Sequence, residues 1–332
     1  MTGLEEGGSA WLDVSGTNQA LVELYRPTLV AFMALNRASV PKVCGTGFVL
    51  AAAGGRAVVL TARHVFDDAA KHQRPTLKRP LAPGLFDETP SLPSTLPSDL
   101  IAHWFALETA GTLSIDEIAA VSYTDIAACA VSAGHTLNDA PFHAPGWPVH
   151  CTIPRVGDLV QMVSLGMDTG TAVVEQQAPA DRTGIGQQLL ITNAVRIRVG
   201  RVVGVYPNGY RQHRHPCFTT TIPVEPGMSG GLAFIRQSLH DSGELGVCGI
   251  ASADVSPPEA FSDPSVAGLS IFACTWPVVG LPVPGLLPGE DGQRRRFHEA
   301  FQSGDLRALG GVGHLTVNVD GDRVNVRYRN PP

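Results

Sequence analysis

Short apolar runs, separated by turn residues, recur along most of the chain, and they constrain its fold more than any other feature. Most runs have the length of a strand, and the gaps draw on 36 Gly and 26 Pro among the 332 residues. Regular helical periodicity is absent before the C-terminal region. This pattern favours antiparallel β-structure, as barrels or as a sandwich. The runs lie at 28–33, 47–50, 57–60, 126–131, 159–165, 189–191, 195–205, 217–224, 231–235, 246–252 and 268–274.

Two dipeptides between such runs predict β-hairpins. Gly54-Gly55 separates two apolar runs in the N-terminal half, and Asp320-Gly321 separates two segments that alternate apolar and polar residues. Glycine in a two-residue turn supplies the backbone twist that matches the flanking strands. We therefore expect one hairpin in the first half of the chain and another near its end.

Helices are predicted only near the ends of the chain. Residues 17–25 form a short candidate, and 291–308 form a longer one, in which Phe297 and Phe301 lie four positions apart on one face. Residues 71–99 are rich in Pro, Lys, Arg and Ser and show little periodicity. We expect a long surface loop there, and loops of that length are often functional.

Composition excludes several classes of function. The net charge of −6 gives no electrostatic reason to expect nucleic acid or an anionic membrane as a partner. Residues 1–16 lack the basic and apolar regions of a signal peptide, and no apolar run is long enough to span a bilayer. We therefore expect a cytoplasmic protein that has no membrane partner.

The cysteines point to neither a metal site nor a disulfide framework. None belongs to a CxxC pair, so we expect no zinc and no other metal, and no motif predicts a cofactor. Without an export signal, reduced thiols are expected rather than three disulfides. The six residues are Cys44, Cys129, Cys151, Cys217, Cys248 and Cys274.

Ser229 lies in the glycine-rich stretch 227–231 and is a candidate nucleophile. Glycines allow the backbone to approach a substrate closely, and backbone N–H groups that converge there can bind an oxyanion. We assign that role to the N–H groups of Gly227 and Ser229. A plain Gly-Ser turn explains the pentapeptide equally well when it is considered alone.

Two further candidates precede the serine along the chain. His64 follows the apolar run 57–60, and a histidine held at a strand end is well placed to act as a base. Asp125 opens the run 126–131, where a partly desolvated carboxylate would be compensated by a histidine N–H. Each is more simply explained alone, as a structural histidine or a strand-start aspartate. Together they supply a base, its orienting carboxylate and a hydroxyl.

These segments resemble the motifs of trypsin-like serine peptidases. The stretches GTGFV and LTARHV are similar to that family's segments up to its catalytic histidine, TDIA to its aspartate motif and GMSGG to its nucleophile motif. CGIAS resembles the strand beside the bound substrate, and VAGL resembles the strand that closes the specificity pocket. In order, the matching residues are 45–49, 60–65, 124–127, 227–231, 248–252 and 266–269.

The resemblance implies an all-β, chymotrypsin-like fold of two six-stranded antiparallel barrels, here with a C-terminal helix and hairpin appendage. It implies a serine endopeptidase acting on protein or peptide substrates through an acyl-enzyme. His64 would be general base and then general acid, Asp125 would orient it, and Ser229 would be the nucleophile. Ser252 would support the aspartate and offer its backbone to the substrate.

The same resemblance locates a specificity pocket. Its floor would be Pro223, six residues before the nucleophile, and its walls would be Ala253, Asp254 and Gly268. Proline provides no charge for an Arg or Lys side chain, and a carboxylate at the entrance would repel an acidic one. We therefore expect cleavage after small or medium apolar residues.

The chain departs from the secreted members of that family at two positions. Met228 stands where those members have the aspartate that pairs with a new N-terminus, and Val65 stands where they have a cysteine, so Cys44 lacks its expected partner. The chain thus looks more like the bacterial and intracellular branch, which includes HtrA-like proteases, but without room for a PDZ module.

We divide the chain into a lead-in (1–26), a peptidase domain (27–285) and a C-terminal appendage (286–332). The loop 71–99 and the appendage are candidates for gating or for binding a regulatory partner protein. Two other functions are left open. One is a non-catalytic peptide-binding or scaffold module on a peptidase fold.

The other is an α/β-hydrolase esterase that uses Ser229 in a G-x-S-x-G elbow. That fold needs a helix directly after the serine, whereas 231–235 has a strand pattern. Its histidine would have to follow the serine, as His298 or His314.

Overall fold

The structure is a computed structural model, and its description covers most of the chain. The described residues are 9–35, 41–71, 78–80, 95–97, 100–106, 110–120, 124–136, 141–168, 173–175, 187–189, 192–236, 244–285, 295–320 and 323–329. The helices are α1 (Gln19–Tyr25), α2 (Arg63–Lys71) and α3 (Phe297–Ser303), and short 3₁₀ turns occupy Arg26–Thr28, Pro258–Phe261, Trp276–Gly280 and Val312–His314.

Twenty-one strands are described. In chain order they are β1 (Trp11–Asp13), β2 (Leu29–Leu35), β3 (Pro41–Ala53), β4 (Arg56–Ala62), β5 (Lys78–Pro80), β6 (Thr95–Pro97), β7 (Ile101–Phe105), β8 (Ala110–Ala120), β9 (Ile126–Thr136), β10 (Val149–His150), β11 (Leu159–Asp168), β12 (Val173–Glu175), β13 (Gln187–Leu189), β14 (Thr192–Tyr206), β15 (Cys217–Thr220), β16 (Leu232–Ile235), β17 (Val247–Asp254), β18 (Ser270–Cys274), β19 (Ala308–Leu309), β20 (Leu315–Asp320) and β21 (Arg323–Tyr328).

The strands form two closed antiparallel barrels of six strands each. The N-terminal barrel runs β2-β3-β4-β9-β8-β7, and β7 pairs again with β2. The C-terminal barrel runs β16-β11-β14-β15-β18-β17, and the pairing of β16 with β17 closes it. The double-barrel fold expected from the family resemblance is therefore confirmed. The α/β-hydrolase alternative is wrong, because Ser229 is followed by the strand β16 and not by a helix.

Smaller elements extend the C-terminal barrel. Strand β1 pairs with β14, and β10 lies parallel to both β17 and β19. Buried apolar side chains from both barrels, α1 and α3 form one continuous core. Within this core, Phe32 of β2 contacts Phe66 of α2, and Phe218 of β15 stacks on Phe272 of β18. The two barrels thus share one packed interior.

Both predicted hairpins are present. Strands β3 and β4 meet at Gly54-Gly55, whose φ angles of 58° and 77° explain why glycine is needed at both positions. Strands β20 and β21 pair in register, with Val317 opposite Val326, while Gly321 lies outside the described residues.

The helices agree less closely with the sequence pattern. Helix α1 lies within the predicted range 17–25 and is capped by the Asn18 side chain. Helix α3 covers only part of the predicted range 291–308, because Gly304 ends it in the left-handed conformation, with φ 83°. Residues 291–294 lie outside the described part.

Helix α2, directly after β4, was not predicted. Of the expected loop 71–99, the described pieces β5 and β6 form a two-stranded ladder, and the remainder after Lys71 lies outside the described residues. The division into lead-in, domain and appendage stays a prediction. No helix among the described residues is long and apolar enough to cross a membrane.

Candidate active site

His64 and Asp125 are brought together by the pairing of neighbouring strands. Strand β4 ends at Ala62, which lies opposite Ile126 at the start of β9. The His64 backbone N–H donates to Asp125 Oδ1 at 3.0 Å, and Nδ1 lies 2.8 Å from Oδ2. The carboxylate therefore fixes both the backbone and the ring of the histidine. This contact selects the tautomer that carries its proton on Nδ1 and leaves Nε2 to act as a base.

Ser252 binds the same carboxylate from the other barrel. It lies in β17, and its hydroxyl donates to Asp125 Oδ2 in a short hydrogen bond. The Asp125 carboxylate thus accepts three hydrogen bonds, two from His64 and one from Ser252. Ser252 thus contacts the aspartate, while its predicted contact with a substrate stays a prediction.

The pKa values of the pair move in opposite directions. Burial favours a higher pKa for Asp125, but hydrogen bonds from His64 and Ser252 and the charge of His64 hold that pKa below its ordinary value. Burial likewise favours a lower pKa for His64, but the hydrogen bond and charge of Asp125, with Asp68 and Asp67 nearby, raise it above its ordinary value. The aspartate is therefore ionised at neutral pH, and the histidine is a stronger base than a free imidazole.

The turn that carries Ser229 is shaped by two glycines in the left-handed region. Gly227 has φ 89° and Gly230 has φ 84°. A Cβ on Gly230 would lie 1.9 Å from the Thr46 carbonyl oxygen and 2.3 Å from Thr61 Oγ1. Only glycine fits this position, and the turn packs directly against β3 and the end of β4. That contact places Ser229 beside the strand end from which His64 extends.

Two N–H groups of this turn have no acceptor among the described residues. Within the described part of the chain, neither Gly227 N nor Ser229 N donates a hydrogen bond, whereas Met228 N and Gly230 N donate to Glu225 O and Ala251 O. The two remaining donors are those assigned to the oxyanion hole from the sequence. Among the described residues no hydrogen bond joins the Ser229 hydroxyl to His64.

Thr46 holds the turn in place, and sequence reasoning gave it no role. It is fully buried in β3, and its N–H donates to Ser229 O at 2.7 Å. Its hydroxyl donates to Gly227 O at 3.1 Å and accepts from Leu165 N at 3.1 Å. A threonine between two glycines of an apolar strand is the signal that could have pointed to it. The two partners of its hydroxyl are more than a hundred residues away along the chain, so the sequence does not reveal them.

The residues assigned to the specificity pocket also come together. A Cβ on Gly268 would lie 3.0 Å from Pro223 N and 2.8 Å from Ser256 Oγ. Asp254 Oδ1 accepts hydrogen bonds from Ser256 N at 3.0 Å and from Ser270 Oγ at 3.3 Å.

Ala253 lies in β17 opposite Ile271. Asp254 is thus bound within its own turn and to β18, so its carboxylate is fixed beside the predicted walls and is not free in solvent.

A cavity of about 300 Å³ opens beside the His64–Asp125 pair. The segment 212–215, between β14 and β15, lines this cavity together with His64, Asp125 and Ser252. Three buried polar atoms in this part of the described chain have no hydrogen-bond partner, namely Thr124 Oγ1, His213 Nε2 and His215 Nδ1. Burial lowers the pKa of both His213 and His215, so the two rings are neutral at neutral pH. Sequence reasoning did not find these histidines.

No group of three or more potential metal ligands occurs among the described residues. Five cysteines are buried, and burial raises the pKa of Cys151 to about 12 and that of Cys217 to about 11. Thiols with such pKa values are protonated at neutral pH and are poor nucleophiles. Buried thiols such as Cys151 and Cys217 are therefore not candidate nucleophiles.

No protein-family model matches the sequence, and no curated protein matches it. Among solved structures, human heparin binding protein aligns at 12% identity over 76% of this chain and 88% of its own, with a TM-score of 0.42. Neuropsin, a serine protease of mouse brain, aligns at 12% identity over 77% and 92%, with a TM-score of 0.39. The protease Anisep from Arthrobacter nicotinovorans aligns at 13% identity over 74% and 90%, also at 0.39. Likeness at this level carries no argument about activity.

Proposed function

We propose that the protein is a serine endopeptidase that hydrolyses peptide bonds through His64, Asp125 and Ser229. The observation that carries the proposal is the hydrogen-bonded unit of His64, Asp125 and Ser252. It lies beside a turn in which two N–H groups donate no hydrogen bond within the described part of the chain. A structural histidine–aspartate pair would not require that turn. A plain Gly-Ser turn would not require a carboxylate with three hydrogen bonds.

The geometry supports a two-step reaction. His64 Nε2 removes the proton from the Ser229 hydroxyl as its oxygen attacks the substrate carbonyl, and the imidazolium then gives that proton to the leaving amine. Water then attacks the acyl carbonyl and loses a proton to His64. The imidazolium returns that proton to the Ser229 oxygen as the ester bond breaks and the acid leaves. The Gly227 and Ser229 N–H groups stabilise the oxyanion in both steps, and Asp125 stabilises the charged imidazolium.

For specificity we propose cleavage after small or medium apolar residues. Pro223 offers no charge, and Asp254 is held beside Gly268 by hydrogen bonds from Ser256 and Ser270. A fixed carboxylate there disfavours Asp and Glu at the cleaved position. A peptide library tests this, since a preference for Asp or Glu would overturn it.

Labelling with a fluorophosphonate probe tests the proposal directly, because such probes react only with an activated serine. We expect the label on Ser229, with loss of labelling in both Ser229→Ala and His64→Ala. Ser265→Ala, which removes an exposed hydroxyl elsewhere, is the matched control and should label normally. Labelling that persists in His64→Ala would exclude His64 as the base.

One observation favours a second candidate, a non-catalytic peptide-binding module. The Ser229 hydroxyl makes no hydrogen bond to His64 in the described part of the chain, and an activated serine needs that contact. Catalytic hydrogen bonds often tighten only when substrate binds. An unlabelled wild-type protein that still binds peptides would favour this candidate over the peptidase.

The remaining aspects of the function are proposals from sequence alone. They are a cytoplasmic location with reduced thiols, membership of the bacterial and intracellular branch, and control by a regulatory partner protein. Refolding in the presence of dithiothreitol tests the first. A protein that requires oxidised cysteines to fold would contradict it.

A further inference from the structure

Arg198 is a buried cation that the proposed reaction does not use. It lies in the middle of β14, and only 4% of its surface is exposed. Arginine is rarely buried unless its charge is paired. Loss of a partner leaves a buried charge uncompensated and strongly destabilises the fold. The partners of Arg198 lie on two sides, and together they connect the N-terminal strand to the turn that carries Ser229.

On one side, Arg198 holds the chain that leads into the nucleophile turn. One guanidinium nitrogen donates to Pro223 O at 2.7 Å, and the other forms a short hydrogen bond to Glu225 Oε1. The Glu225 carbonyl in turn accepts the Met228 N–H at 3.0 Å. The guanidinium therefore fixes two points of the segment that ends in the two oxyanion donors.

On the other side, strand β1 covers Arg198. The Asp13 carboxylate lies 3.7 Å from Arg198 Nε, and the guanidinium carbon lies 4.9 Å from the centre of the Trp11 ring. Trp11 is itself 3% exposed. Arg198 Nε makes no hydrogen bond among the described residues, so on this side the buried cation is balanced by the charge of Asp13 and the face of the Trp11 ring.

Strand β1 is attached to the same region by its backbone. Thr221 Oγ1 donates to Ala10 O at 2.5 Å, and Ala10 N donates to Pro264 O at 2.9 Å. Gly268 N also donates to Thr221 O, so Thr221 links β1 to a predicted wall of the specificity pocket. Both the oxyanion turn and that wall are therefore tied to residues 10–13.

We propose that strand β1, acting through Arg198, positions the oxyanion turn, so that the reactivity of Ser229 depends on docking of residues 10–13. Arg198 is a positioning residue that does not touch the substrate. The inference rests on the proposed peptidase function for its effect on rate. Its structural content, that the 223–231 segment is held by Arg198 and β1, can be tested without any activity.

The experiment uses the full-length protein and the variant Arg198→Met, which keeps an unbranched side chain but removes the charge and the donors. Arg201→Met is the matched control, because Arg201 lies three residues further along β14 and donates to Gly157 O instead. Hydrogen exchange over 223–231 is measured by mass spectrometry, together with the rate of fluorophosphonate labelling and the melting temperature.

For Arg198→Met we expect faster exchange over 223–231 at temperatures where the rest of the C-terminal barrel stays protected. Labelling of Ser229 should slow by about 10- to 100-fold, since small displacements of catalytic donors cost rates of this size. With a peptide substrate the loss should fall on kcat more than on KM, because the donors act as the oxyanion forms. Arg201→Met should match wild type in all three readouts.

A second set of variants keeps the inference testable if Arg198→Met does not fold. Trp11→Ala removes the ring, and Asp13→Asn the charge, that β1 places against the Arg198 guanidinium. Each should speed exchange over 223–231 and slow labelling of Ser229, by less than Arg198→Met does. Trp11→Phe keeps an aromatic face and should restore most of the rate. Wild-type exchange and labelling in Trp11→Ala and Asp13→Asn would overturn the proposal. If wild-type Ser229 does not label at all, the proposed function fails, and exchange alone decides the role of Arg198.

Discussion

Replacing Thr46 with valine tests how the turn that carries Ser229 is held, because valine keeps the shape of threonine and removes only its hydroxyl. That hydroxyl donates to Gly227 O and accepts from Leu165 N, each at 3.1 Å. The backbone bond from Thr46 N to Ser229 O, 2.7 Å, is unaffected by the substitution. The variant therefore releases one end of the turn and leaves the other attached.

The magnitude follows from the two lost hydrogen bonds. Leu165 N is buried and would lose its partner, which costs about 1–3 kcal/mol, whereas Gly227 O is partly exposed and loses about 0.5–1.5 kcal/mol. We expect the free energy of unfolding to fall by about 1.5–4.5 kcal/mol. Because Gly227 also carries one of the two proposed oxyanion donors, we expect kcat to fall by about 10- to 100-fold.

The assay combines urea unfolding with fluorophosphonate labelling of Thr46→Val and of a matched variant, Thr46→Ser. Serine keeps the hydroxyl and loses only a methyl group, so Thr46→Ser should label within a few-fold of wild type. A Thr46→Val protein that is destabilised but labels at the wild-type rate would show that the turn is held without this hydroxyl. Wild-type stability in Thr46→Val would show that the two hydrogen bonds of the Thr46 hydroxyl do not stabilise the fold.

Three further outcomes are expected. The acid limb of kcat/KM should have its midpoint above the ordinary histidine pKa of about 6.5, because Asp125 raises the pKa of His64 and the proposed base must be neutral. Asp125→Asn should move that midpoint to lower pH and lower kcat by about 10⁴-fold. Gly230→Ala should lose folding or labelling, because its Cβ would overlap Thr46 O. Gly54 also has a positive φ but lies in open space, so Gly54→Ala should lower the free energy of unfolding by only about 1–2 kcal/mol in a melting experiment and keep activity. EDTA and dithiothreitol should leave hydrolysis unchanged in a peptide assay, and loss of folding under dithiothreitol would contradict the reduced state.

The sequence predicted those parts of the site that lie at the ends of strands. The apolar run 57–60 predicted β4, and the run after Asp125 predicted β9, so His64 and Asp125 were placed at strand ends before their pairing was known. Glycines around Ser229 predicted a turn, and both Gly227 and Gly230 have positive φ. These features depend on local chemistry, which a single sequence carries.

Long-range partners could not be predicted in the same way. An arginine within an apolar strand, as at Arg198, signals a buried charge, but nothing in the sequence links it to Asp13 or Glu225. Helix α2 was missed because its nine residues are too few for a clear helical period. The extent of α3 was overestimated because Gly304, which ends it, was not recognised as a helix cap.

The two barrels support each other's half of the candidate site in a reciprocal way. Ser252, from the C-terminal barrel, donates to Asp125 of the N-terminal barrel, while Thr46, from the N-terminal barrel, holds the turn that carries Ser229. Separating the barrels would therefore release both the Asp125 carboxylate and the turn that carries Ser229. Since the buried core also runs through both barrels, the reactivity of Ser229 and the folding of the whole chain should be lost in one transition. A denaturant titration in which labelling disappears well before the barrels unfold would contradict that coupling.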